Sequence, residues 1–214
     1  MSALAAIVRR DLAIALRSGA MLPVVFFLLV ATLYPFAVGP DAALLGRTGG
    51  GLLWVAALLA ALLPIDRLVA PDLEGGMLDQ YAVRGVPDES VAAAKILAHW
   101  LSFGPPLMIA ALPAAALLRL DGAVIQRIEI GLAIGTPGLA ALAFATACLT
   151  AGLRGAGALA GLLMLPLAIP LLIFAAGSLA PGGTGAVKLL AATSLLLVAG
   201  APFVAGATLR ALRD

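Results

Sequence analysis

The chain has 214 residues, of which 63% are hydrophobic and 11% charged, and its mean hydropathy is +1.14. A soluble domain carries about 25% charged residues, so this composition excludes an ordinary water-soluble fold. The net charge of +2 is the excess of 13 basic over 11 acidic side chains, and the basic ones are scattered at the ends of apolar runs, which excludes a nucleic-acid-binding face. Those runs lack the alternating polar positions of a membrane barrel. The fold class expected is therefore an all-α integral membrane protein, each crossing taking ~20 apolar residues.

Residues 1–18, MSALAAIVRRDLAIALRS, precede any spanning stretch, and Arg9, Arg10 and Arg17 fall on one side of a helical wheel. This is the pattern of an interfacial helix. Asp11 falls on the otherwise apolar side, which calls for a basic partner on another helix or chain. Span one is expected from Gly19 to Val38, with Pro35, Gly39 and Pro40 breaking it as it leaves the hydrocarbon. Span two runs from Gly49 to Ile65. A polar segment follows, and span three extends from Val91 to Leu118, broken or kinked at Gly104, Pro105, Pro106 and Pro113. Span four covers Ile128 to Leu153, span five Ala156 to Ala180 and span six Gly185 to Leu209. The whole chain, 1–214, reads as one six-helix transmembrane domain with both termini on one side.

Lysine and arginine set the orientation. With a cytoplasmic N-terminus, Arg9, Arg10, Arg17, Arg67, Arg84, Lys95, Arg154, Arg210 and Arg213 lie inside, and Arg47, Arg119, Arg127 and Lys188 outside. That asymmetry satisfies the positive-inside rule. No charge needs to sit at a span centre, which argues against an ion-coupled carrier. Neither lysine, Lys95 in AAAKIL or Lys188 in GAVKLL, stands in a phosphate-binding loop, so any ATP is expected on another polypeptide. Cys148, the single cysteine, reads as a small core residue. No arrangement of serines with the lone histidine, His99, supports covalent catalysis, and no metal site is expected.

The cytoplasmic segment 70–90 gathers Asp72, Glu74 and Asp79. Leu73, Met77, Leu78 and Tyr81 recur at helical spacing and Pro71 suits a first turn, whereas Gly75 and Gly76 each cost about 1 kcal/mol against alanine. A short helix ordered by docking is expected. From the residues alone the segment is either a solvated spacer or a docking element for a soluble partner.

KILAHWL at Lys95 to Leu101, YPFAVGP at Tyr34 to Pro40, GTPGL at Gly135 to Leu139 and PLAIPLLIF at Pro166 to Phe174 resemble the CcmB family. That family is the heme exporter permease of the bacterial ABC-type cytochrome c maturation system. Its loop after span two carries an Asp-x-Glu-Asp-Gly-x-Leu-Glu-Gln pattern, matched here by Asp72, Glu74, Gly76, Leu78, Asp79 and Gln80, with Gly75 in place of an acid. The resemblance implies that this loop, with Tyr81 beside it, contacts a separate ABC ATPase subunit. It also implies a permease homodimer in the bacterial inner membrane, and association with a heme-handling membrane subunit and a small helper subunit. Heme is the implied cargo, with no stably bound cofactor and ATP reaching the complex only through its ATPase. In this picture the loop is a lever on span three, with Gly104, Pro105 and Pro106 as its hinge.

Several residues stand out as a cargo path. His99 beside Trp100 is either a heme ligand or stacking site, or a polar residue next to an aromatic anchor at the membrane interface. Pro105 and Pro106 in span three, and Pro166 and Pro170 in span five, free backbone carbonyls that must find partners or line a cavity. Gly131 with Gly135, and Gly157 with Gly161, allow close helix approach either within the subunit or across a dimer. Two functions fit: a heme permease driven by an external ATPase, or a conformational adaptor that passes ATP hydrolysis to a heme-handling partner without itself carrying heme.

Overall fold

In the computed structural model, residues 3–19 and 21–213 are described, and among them every regular element is helical. The helices are α1 (Ala3–Arg17), α2 (Met21–Val38), α3 (Ala42–Leu62), α4 (Ala70–Glu74), α5 (Met77–Val83), α6 (Asp88–Leu117), α7 (Gly122–Thr150), α8 (Ala156–Leu167), α9 (Ile169–Ser178) and α10 (Thr184–Ala211). Five stretches are long and apolar enough to cross a membrane, and α8 with α9, bent by 49°, brings the total to six if the pair is one crossing. The bend falls at Ala168, between Pro166 and Pro170, the two prolines that free backbone carbonyls in span five.

The bundle is built around α7, which packs on α6, α10, α8, α3 and α9. In its most apolar stretch 78% of residues are buried, against 22% in α2, so α7 is the axis and α2 faces outward. Spans two, three and four start earlier than expected, at Ala42, Asp88 and Gly122 rather than Gly49, Val91 and Ile128, because hydropathy reports only the hydrocarbon. Asp41 caps α3, its carboxylate accepting from the Ala43 and Leu44 amides at 2.8 and 3.3 Å. Asp121 caps α7 through the Val124 amide at 2.8 Å. Each side-chain cap satisfies amides that a helix start leaves without partners.

Two expectations about prolines are corrected. Helix α2 continues through Pro35 to Val38 and ends only where Gly39 takes φ +88°. Helix α6 is uninterrupted through Gly104, Pro105, Pro106 and Pro113, so span three is not broken there. The backbone at Gly104 lies so close to Trp100 that a Cβ would stand 2.6 Å from its Nε1, and α6 is braced along its length by α7, α1, α10 and α2. Packing of this kind holds a proline-containing membrane helix together.

One of the two glycine pairs, Gly131 with Gly135, serves packing within the subunit. Gly131 and Gly135 of α7 receive the ring of Trp54 from α3; Cβ atoms there would stand 3.0 and 2.6 Å from it. At Gly157 a Cβ would collide with the Asp66 carboxylate, and Gly161 faces open space. Cys148 is buried, as expected.

Candidate functional site

The 70–85 segment is two short helices rather than one, because its glycines do different jobs. Gly75 closes α4 with its backbone against Pro71 O, leaving a Cβ only 2.9 Å of room. Gly76 starts α5 at φ +65°, ψ 17°, a left-handed conformation that costs a residue with a Cβ about 1–2 kcal/mol. The chain thereby turns so that Leu78 and Tyr81 are buried and Leu73 and Met77 pack on the core. The opposite face carries Glu74, Asp79 and Gln80 into the open. Val83, 89% exposed, and Arg84 extend that face; the sequence reading did not include them.

Asp72 belongs to the other face. It is buried, and its carboxylate accepts from both guanidinium nitrogens of Arg10 on α1, at 2.6 and 3.1 Å. It also pairs with Lys95 Nζ on α6. Lys95 in turn donates to Asp11 at 2.8 Å, and Arg10 to Asp11 at 2.8 Å. Two cations and two carboxylates thus close a neutral square joining α1, α4 and α6, with Lys95 and Asp72 side chains only 6% and 9% exposed. Arg10 also points at the Tyr81 hydroxyl, 3.4 Å away.

The square shifts its neighbours. The Arg10 guanidinium, hydrogen-bonded to Asp72, is held protonated still more firmly than usual. Burial pushes the Tyr81 phenol above its ordinary value. Asp11, out of place on the helical wheel, has found the basic partner it required. The sequence offered no signal that this partner would be Lys95, or that Asp72 would face inward.

A second set of pairs fixes the far end of the segment. Arg213 donates to both Asp88 oxygens at 2.5 and 2.8 Å, and Arg210 to Glu89 at 2.7 Å. These tie the start of α6 to the end of α10, where Gly206 lets the Glu89 backbone approach.

The candidate path residues do not converge. His99 is 4% exposed, its ring 4.8 Å from Phe103, and its Nε2 has no hydrogen-bond partner among the described residues. It lies buried inside the protein, on a cavity of about 270 Å³ beside the charge square. Trp100 faces the other way. Its indole donates to Thr136 Oγ1 at 3.0 Å, and it lines a separate cavity of about 130 Å³ with Pro137 and Pro202. Pro105, Pro106, Pro166 and Pro170 line neither. Among the described residues no three His, Cys, Asp or Glu side chains gather as a metal site.

Comparison with known proteins matches residues 2–212 to the family model described as CcmB protein. Over 218 residues the chain is 44% identical to "Heme exporter protein B" of Bradyrhizobium diazoefficiens, covering 98% of each chain. The protein of that name from Paracoccus denitrificans is 44% identical over 212 residues, 96% of this chain and 97% of the relative. The Rhodobacter capsulatus protein is 42% identical with the same coverage.

Proposed function

The chain belongs to the CcmB family, and from that premise we propose that it is the membrane subunit of a bacterial ABC-type heme exporter serving c-type cytochrome maturation. It sits in the inner membrane, hydrolyses no ATP itself, and takes mechanical work from a separate ATPase subunit through residues 70–85. Partners of the assembled complex are a second copy of this chain, a heme-handling membrane subunit and a small helper subunit.

The observation that carries the coupling role is the two-sided build of that segment. Glu74, Asp79, Gln80 and Val83 are exposed on one face, while Asp72 on the other is bound to α1 and α6. A contact can transmit displacement only if it is anchored behind, and a solvated spacer would need no such anchorage. The pairs Arg10–Asp72 and Arg213–Asp88 support a single side for the N-terminal helix, the segment and the C-terminal end. The positive-inside bias assigns that side to the cytoplasm. In this reading Asp72 acts from behind the interface, and Gly76, Leu78 and Tyr81 shape the element that presents Glu74, Asp79 and Gln80.

Charge reversal of the exposed acids tests the contact. Glu74→Lys with Asp79→Lys is expected to abolish co-purification of the ATPase while the membrane subunit is still inserted; retained co-purification would refute coupling through this face.

One observation favours the adaptor reading: His99 and Trp100 open on separate cavities, and the four prolines line neither. Heme retention decides between the two. Stoichiometric heme on this subunit, after detergent washing of a complex with a hydrolysis-deficient ATPase, supports transport, and its absence supports the adaptor.

A further inference from the structure

We propose that the cavity between α1, the 64–72 stretch and α6 is a binding site for one anionic phospholipid drawn from the surrounding bilayer. The proposal does not depend on the exporter reading.

The cavity has the two-part lining an amphiphile requires. Ile14, Leu68 and Phe144 supply apolar wall, and Arg10, Lys95 and Arg67 supply cations. The charges do not cancel. Asp11 and Asp72 are the carboxylates on this lining, both committed to Arg10 and Lys95. Arg67 is the surplus cation. Its guanidinium donates to the Ser18 carbonyl, a neutral acceptor, and it has no carboxylate partner among the described residues. Buried His99, whose Nε2 has no hydrogen-bond partner among the described residues, stands on the same wall. The lining therefore favours a negatively charged group.

Position and size point to lipid rather than a free anion. Helix α1 exposes both apolar residues, Leu4, Ile14 and Leu16, and the arginines Arg9 and Arg17, the composition of a helix lying at headgroup depth. At about 270 Å³ the cavity falls just below the ~300–1,000 Å³ of sites that enclose a whole small molecule. It would hold a headgroup and the start of one chain, the remainder lying outside along the apolar surface. Basic pockets between membrane helices on the cytoplasmic side hold anionic headgroups in this way.

Native mass spectrometry of the full chain in mild detergent tests this, with phosphatidylglycerol, phosphatidylethanolamine or inorganic phosphate added in turn. One phosphatidylglycerol is expected to bind in preference to phosphatidylethanolamine, and excess phosphate is expected not to displace it. Arg67→Gln should weaken retention about fivefold, as removal of one cation near a lipid surface does. Arg17→Gln, on the exposed side of α1, should leave retention unchanged. Ala98→Leu, which fills the cavity, should also lower it. Equal binding of the two lipids, displacement by phosphate, or equal losses in the Arg67 and Arg17 variants would overturn the proposal.

Discussion

Lys95 of α6 and Asp72 of α4 form an ion pair in the protein interior, and each is shared with a second partner from α1. Three helices from distant parts of the chain are joined by charge rather than by apolar packing alone. Removing one partner leaves the others uncompensated, at about 3–5 kcal/mol for a buried pair. Asp72→Asn and Lys95→Met are each expected to lower the denaturation midpoint strongly. The double variant should fall short of the summed losses by about 0.5–3 kcal/mol, and additivity in detergent unfolding would show that the two do not communicate.

Gly135 and Gly161 make an internal control for glycine packing. Gly135→Ala drives a methyl against the Trp54 ring and should cost about 1–3 kcal/mol. Gly161→Ala enters open space and should stay within about ±0.5 kcal/mol. Thermal unfolding of the two variants gives the comparison, and equal effects would remove the steric explanation.

Gly76 turns the 70–85 segment through its left-handed backbone. Gly76→Ala should loosen the segment by about 1–2 kcal/mol, with Gly76→Asn milder because asparagine tolerates this region. Limited proteolysis between residues 70 and 85 reads the opening directly, and an unchanged cleavage rate in the alanine variant would contradict it.

Tyr81 predicts an alkaline dependence. Burial raises its folded value above the ordinary ~10, so the native state holds the phenolic proton more tightly than the unfolded chain. Its contribution is fully present below about pH 10 and is lost as pH rises towards the folded value. Tyr81→Phe should flatten the fall of stability above pH 10, as measured by denaturation midpoints from pH 9 to 11.

Most of the architecture could be read from the chain because bilayer spans declare themselves through composition. The N-terminal helix, the late spans and the helical character of residues 70–85 all emerged from apolar runs and breakers, although the sequence suggested one short helix there and the fold has two. What stayed hidden depends on contacts between segments far apart in sequence. The proline-rich stretch of α6 reads locally as a break, but its neighbours hold it continuous. Asp72 reads as one acid among several, and only the fold shows that Arg10 and Lys95 draw it inward while Glu74 and Asp79 stay outside. His99 and Trp100 are adjacent in the chain, yet consecutive helical positions point about 100° apart, which sends them to different cavities.

Asp88 and Arg213 lie 125 positions apart. A ribosome adding about 5–20 residues per second releases the carboxylate roughly 6–25 s before the guanidinium that clasps it. During that interval four-sixths of the bundle can enter the lipid with this joint undone. The clasp between the start of α6 and the end of α10 is thus fastened last, whereas the Arg10–Asp72–Lys95 joint can close as soon as residue 95 is made.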